Sequence, residues 1–292
     1  MTFNDNARIN PDRVSRRGRN TGIAVGGGGG ILIIGLFIVS QLLGVDLTGL
    51  VGGGSGVPPK SEPLTQCTTG QQANASIDCR LAAAADSLDT YWGTELPALG
   101  QTYRPTSVVL FTGQVDTGCG GASSAVGPFY CPADELIYVD TAFYDELRTR
   151  YGSSGGPLAE MYVIAHEWGH HIQSVTGISN GLDLGTTGPA SDSVRLELQA
   201  DCFAGAWVGA ASSTTADNGV TFLKPVTDAE IRDALSAASA VGDDRIQAST
   251  QGRVTPETWT HGSSESRQKW FLAGHDGGSN ACNTFQVSGS QL

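Results

Sequence analysis

From residue 67 onward, apolar residues recur mostly at the three- and four-residue spacing of a single helical face. Ile77 to Trp92 (IDCRLAAAADSLDTYW) predicts a first helix, and Pro97 ends the segment after it. Thr141 to Tyr151 predicts a second, stopped by Gly152, and further helices are expected over Leu158 to Thr176, Ser191 to Ala211 and Thr227 to Val241. A last helix opens at His261-Gly262-Ser263-Ser264, where Ser263 or Ser264 can cap it. Ser107 to Phe111 (SVVLF) and Leu136 to Val139 (LIYV) are short β-branched and aromatic runs, read as strands. The Gly-rich stretch between them carries Cys119 and Cys131, and a disulfide there would staple a loop expected to lack a core of its own. The fold class is therefore α+β, mostly helical with a small sheet, and the lack of any fixed-period repeat excludes a solenoid or propeller.

A different pattern precedes the body. Residues 23–45 (IAVGGGGGILIIGLFIVSQLLGV) carry no charge and match the roughly 20 residues a membrane-spanning helix needs, although Gly26 to Gly30 weaken the first third. A cleaved signal peptide is the competing reading. It is disfavoured because Gln41-Leu42-Leu43-Gly44-Val45-Asp46 offers no small-x-small cleavage site. The expected organisation is a basic cytoplasmic tail (1–22), a single-pass transmembrane anchor (23–45), a flexible Gly/Pro linker (46–66) and a folded domain (67–292). Arg8, Arg13, Arg16, Arg17 and Arg19 on the short side predict a cytoplasmic N-terminus and an extracytoplasmic domain attached to the cytoplasmic membrane.

Charge and cysteine content sharpen this reading. The chain has 292 residues, a formal net charge of −12 and only 16% charged residues, and its positive excess is confined to the N-terminus. So acidic a body repels nucleic acid and anionic headgroups, which excludes nucleic acid as a main partner. Six Cys point to an oxidising compartment. Cys67 with Cys79, Cys119 with Cys131 and Cys202 with Cys282 is the expected pairing, one of 15 that six cysteines allow.

The chemistry lies on the Leu158 helix, in His166-Glu167-Trp168-Gly169-His170. Two His four residues apart lie about 6 Å apart on one face, so both imidazoles can reach one tetrahedral ion, with Glu167 beside them as the base for a metal-bound water. Glu197 and Asp201 share a face of the next helix, in the otherwise apolar run LELQADCFAGAW. Buried carboxylates cost several kcal/mol unless paired or metal-bound. Glu197 is accordingly assigned as third zinc ligand and Asp201 as the acceptor that orients a ligand His, with water in the fourth position. His261 is a candidate hydrogen-bond donor to the oxyanion of the tetrahedral intermediate. Arg267 either holds Asp201 or Glu265 or lies in solvent.

The series HEWGHH, ELQADCFAGAW and HGSSESRQKWF, preceded by GPFYCPADELIYVD, resembles the neutral zinc metallopeptidase family of bacteria over roughly residues 67–282. It is more distantly similar to the integral-membrane metalloproteases related to the CAAX prenyl proteases. The resemblance implies a zincin-like domain behind a basic tail and one transmembrane segment, zinc on His166, His170 and Glu197, Glu167 catalytic and His261 near the intermediate.

Neighbouring residues have plainer readings. His171 points about 100° away from His170 and is read as a surface or outer-sphere residue, and His275 as solvent-exposed. Trp168 and Trp207 are read as core, and Cys202 as a disulfide partner rather than a thiolate ligand. The functional expectation is a membrane-anchored zinc endopeptidase acting on peptide or protein. Its extended substrate is expected to pair with a strand such as Leu136 to Val139. The alternative is a non-catalytic, zinc-containing module that binds peptide or an envelope protein.

Overall fold

In the computed structural model, which describes residues 2–17 and 61–292, the apolar stripes fold into eight helices and a small sheet. The helices are α1 (Gly70–Ala75), α2 (Ile77–Ala98), α3 (Phe143–Thr149), α4 (Pro157–Val175), α5 (Asp192–Ala210), α6 (Asp228–Ala240), α7 (Asp243–Gln251) and α8 (Ser264–Gly277). Six lie where helical periodicity predicts them. Helix α2 continues through Pro97 to Ala98, since a proline near the C-terminal end removes only one ladder bond. Helix α7 has no apolar period to betray it: in DDRIQASTQ, Ile246 is its one aliphatic residue with a branched chain, and it packs inward.

The sheet contains β1 (Val14–Arg17), β2 (Ser61–Pro63), β3 (Ser107–Phe111), β6 (Phe129–Cys131) and β7 (Leu136–Asp140), in the order β2-β1-β3-β7-β6. The inner strands β1, β3 and β7 run parallel, and β2 and β6 pair antiparallel at the edges. Alternate residues face opposite sides. Val108, Leu110, Ile137 and Val139 join the main core with the helices, while Val109, Phe111 and Tyr138 join a smaller cluster. That cluster also holds Val115, Ala122, Val126 and Phe129, and it sits with the hairpin of β4 (Gln114–Thr117) and β5 (Gly120–Ser123). The Gly-rich stretch, expected to have no core, thus helps build one, and the Cys119–Cys131 bridge is part of it.

The N-terminal residues depart most from expectation. Residues 2–17, read as a tail separate from a body starting at residue 67, are built into that body. Phe3, Ala7, Ile9 and Val14 are buried, and β1 lies between β2 and β3. Full burial of a Phe, Ile or Val side chain stabilises by about 1.5–3 kcal/mol each, so this is a substantial part of the core. The arginines that suggested a solvated tail are instead counter-charges to an acidic helix: Arg13 pairs with Asp89 at 2.8 Å and Arg16 with Asp78 at 2.6 Å, both on α2. The last residues of the expected linker also fold, with β2 in the sheet and Leu64 buried. Arg17 and Ser61 face each other across β1 and β2. The expected anchor, residues 23–45, lies outside the described residues. Among the described residues no helix is long and apolar enough to cross a membrane.

Three disulfides tie the fold: Cys67–Cys79, Cys119–Cys131 and Cys202–Cys282. The third joins α5 to the chain that comes after α8.

Candidate metal centre

Two close helix crossings assemble the site. Gly169 on α4 packs directly on α5, where a Cβ would stand 2.9 Å from the Cα of Ala200 and 3.0 Å from its carbonyl oxygen. Glycine therefore lets α4 approach near enough for Glu197 to reach both His of the motif. On the far side of α5, a Cβ at Gly205 would overlap the carbonyl of Phe271, and one at Gly274 the carbonyl of Cys202. Helix α8 consequently meets α5 backbone to backbone, which delivers Arg267 to Asp201.

The geometry of the donors is set by their hydrogen bonds. Asp201 accepts from His166 Nδ1 at 2.8 Å, and because a carboxylate can only accept here, His166 carries its proton on Nδ1 and turns Nε2 inward. Gln173 donates through Nε2 to the carbonyl of Leu196 at 2.7 Å, which fixes its amide and leaves Oε1 to accept from His170 Nδ1 at 2.9 Å. The Nε2 atoms of both His then face Glu197, at 3.1 Å for His166 and 3.4 Å for His170. One donor atom from each of His166, His170 and Glu197 lies within 4.8 Å of the others, and all three residues are buried.

Electrostatics favour a cation at this point. Burial opposes ionisation of Glu197, but the surrounding His170, His261 and His166 hold its carboxyl well below the usual carboxylate range. Burial would also strip a proton from His166, yet Asp201 and Glu197 outweigh it and push this imidazole up to about 10. Two imidazole nitrogens and a carboxylate oxygen, desolvated and already oriented by outer partners, fit zinc in its catalytic form, with three protein ligands and a position left open. The outer layer is tightly held. Arg267 grips Asp201 with Nε at 2.8 Å and Nη2 at 3.0 Å, and Tyr162 donates its hydroxyl to the same carboxylate. Burial raises the Glu167 carboxyl above its ordinary value, countered in part by His170 and His166. Glu167 lines the same cleft as His166 and Glu197.

His261 is buried close enough to Glu197 for each to shift the other's titration. Its ring is held from behind: Nδ1 lies 2.8 Å from the Thr260 hydroxyl and 3.3 Å from Asp243 Oδ1. Asp243 also accepts the backbone N–H groups of Thr260, His261 and Gly262 at 2.9, 2.7 and 3.0 Å. Among the described residues, the hydrogen bonds of the His261 ring are all made by Nδ1, which leaves Nε2 without a partner there.

Three residues of the site escape a reading of the sequence alone. Gln173 and Tyr162, three residues after His170 and four before His166, had a detectable signal, since helical spacing places them on the ligand face. Asp243 had none, because only the turn of chain before α8 brings it to His261. Arg267, left open by the sequence, is bound to Asp201 rather than to Glu265 or solvent. His171 is neither a surface nor an outer-sphere residue: it is fully buried, with Nε2 donating to the Arg104 carbonyl at 2.7 Å and Tyr130 at its other nitrogen. Trp168 and Trp207 are core, His275 is partly exposed beside Asp276, and Cys202 is disulfide-bonded. Strand β7, expected to receive substrate, is flanked by β3 and β6 and has no free edge.

Comparison with known proteins identifies relatives and a family. An uncharacterized protein of Mycobacterium tuberculosis strain H37Rv, Rv2575, is 52% identical over 227 residues, 77% of this chain and 76% of its own length. The uncharacterized protein YpfJ of Escherichia coli K12 is 40% identical over 268 residues, 90% of this chain and 88% of its own. No solved structure matches the chain. The family described as "Putative neutral zinc metallopeptidase" matches residues 3–285, a span that takes in the N-terminal strand as well as both metal helices. With nearly its whole length matched in this way, the chain belongs to that zinc metallopeptidase family.

Proposed function

We propose that the protein is a zinc-dependent endopeptidase that works outside the cytoplasm. The observation that carries this reading is the convergence of His166, His170 and Glu197 on one point, with Glu167 beside them on the wall of the cleft. Zinc held by these three donors would leave one position for water, lower the pKa of that water towards about 7 and polarise a scissile carbonyl. Glu167 takes the proton of the attacking water and passes it to the leaving amine. Burial opposes a charge on His261, but Glu197 and Asp243 raise it above the ordinary imidazole value, and as the imidazolium it donates from Nε2 to the carbonyl oxygen as that gains charge, with Asp243 keeping the ring aimed. Asp201 and Gln173 prevent the two ligand rings from turning away. Since β7 is interior, an extended substrate is assigned instead to the outer edge of β6, which packs beside α4.

The test is cleavage of unfolded casein by the full chain as purified, after chelation and after zinc is restored. Activity that disappears with the chelator and returns with zinc supports the reading. A full-chain protein that takes up zinc but cleaves nothing in any state would falsify it in favour of a module that holds zinc and binds peptide.

The three disulfides favour an oxidising compartment. Any membrane attachment through residues 23–45 has to begin and end on the body's side, because Arg17 and Ser61 are paired. Compartment-sensitive reporters fused to the N-terminus and to the C-terminus are therefore expected to report the same extracytoplasmic side. Opposite sides would mean that β1 does not pair with β2 in the membrane-attached protein.

A further inference from the structure

We propose that the pocket beside the metal centre seats a bulky apolar side chain of the substrate, aromatic or branched aliphatic, next to the bond that is cut. This rests on the endopeptidase reading and names its substrate class. The pocket begins at His166, Glu167 and Glu197 and extends away from them between α3, α4 and the C-terminal end of α6. Its walls are Phe143, Leu147, Val163, Ala237, Val241 and Ile246, and the chain from Ser124 to Pro128 closes one side. With its open mouth and the solvent in it included, the cleft spans ≈ 720 Å³, and its walls beyond the metal donors are mostly apolar.

The placement of charge makes the pocket selective. Water against these walls finds few hydrogen-bond partners, so its replacement by an apolar side chain is favourable. The one arginine among the lining residues, which include no lysine, is Arg267, and it is not free to receive an anion: Nε and Nη2 are bound to Asp201 and Nη1 to the carbonyl of Val241 at 3.2 Å. Glu146 is exposed at the lining of the same pocket and repels an acidic side chain that approaches it. Phe or Leu should therefore be preferred, Ala accepted weakly and Asp rejected. Because the pocket adjoins Glu167 and the metal donors, the side chain it holds belongs to a residue flanking the scissile bond rather than a distant one.

The experiment uses the zinc-loaded full chain and a set of quenched fluorescent peptides, identical except for Phe, Leu, Ala or Asp at the residues flanking one bond. The cut is located by mass spectrometry. A kcat/KM for Phe or Leu about 10- to 200-fold above that for Ala is expected, with Asp lowest. In Val241→Phe, which narrows the pocket from its wall, the ratio of Phe to Ala cleavage should fall at least about tenfold. Equal cleavage of all four peptides by the wild type overturns the proposal, and so does an unchanged ratio in a folded Val241→Phe protein. If no peptide is cut, the endopeptidase reading is what has failed. The pocket is then decided by calorimetry with a benzyl-substituted hydroxamate against acetohydroxamate: tighter binding of the benzyl compound by about tenfold or more supports it, and equal affinity overturns it.

Discussion

Glu167→Gln is expected to bind zinc at the same stoichiometry as the wild type and to cleave casein about 100- to 10,000-fold more slowly, the range a positioned general base contributes. Glutamine keeps the shape of the side chain and can still accept a hydrogen bond, but it cannot take a proton from water. Glu167 is adjacent in sequence to a ligand, yet it is not one of the three converging donors, so the metal should be unaffected. Its burial biases the carboxyl towards holding a proton, which suits a group that must pass that proton on within one turnover. Metal content by mass spectrometry and initial rates on one sample decide the matter. Full activity in the variant removes Glu167 from the base role, and loss of zinc would make it a structural partner of the site.

The second large effect is expected for Glu197→Ala. The substitution removes the only anionic donor of the three and leaves two imidazoles, too few to hold zinc against dialysis. Zinc at about a thousand times its dissociation constant stabilises the fold that binds it by about 4 kcal/mol, and for a domain of this size that raises the midpoint of unfolding by roughly ten degrees. Added zinc should produce that rise in the wild type and none in the variant, with casein cleavage lost as well. The thermal shift separates the ligand role from a general folding defect. A variant that merely folds badly would still show a zinc-dependent rise. Zinc retained by Glu197→Ala would mean that another group completes the site.

Much of the site was legible because its logic is local. His166, Glu167 and His170 are one turn apart on one helix, and Glu197 and Asp201 one turn apart on another. An apolar run interrupted by two carboxylates at helical spacing is costly unless a partner awaits them. The strands expected at Ser107 to Phe111 and Leu136 to Val139, the pairs Cys67–Cys79 and Cys119–Cys131, and the core positions of Trp168 and Trp207 rest on similar short-range signals, and all are present in the fold, as is the expected longer-range pair Cys202–Cys282. The N-terminal residues depart from expectation for the same reason. Arginines at positions 8, 13, 16 and 17 look like a solvated basic tail unless Asp78 and Asp89, more than sixty residues away, are known to face two of them.

Short-range pattern thus determined, from the sequence by itself, six of the eight helices among the described residues and the three side chains that converge as candidate metal donors. Helical periodicity carries that information wherever a buried face must be apolar. Tertiary structure alone decided that β1 lies inside the sheet, that β7 is interior and β6 the edge, that Asp243 stands behind His261, and that an apolar pocket opens beside the donors. Each of these depends on contacts between segments distant in the chain. Such contacts are set by how closely two backbones can pack, as at Gly169 against Ala200, and by which charges meet once they do, and no single segment encodes either.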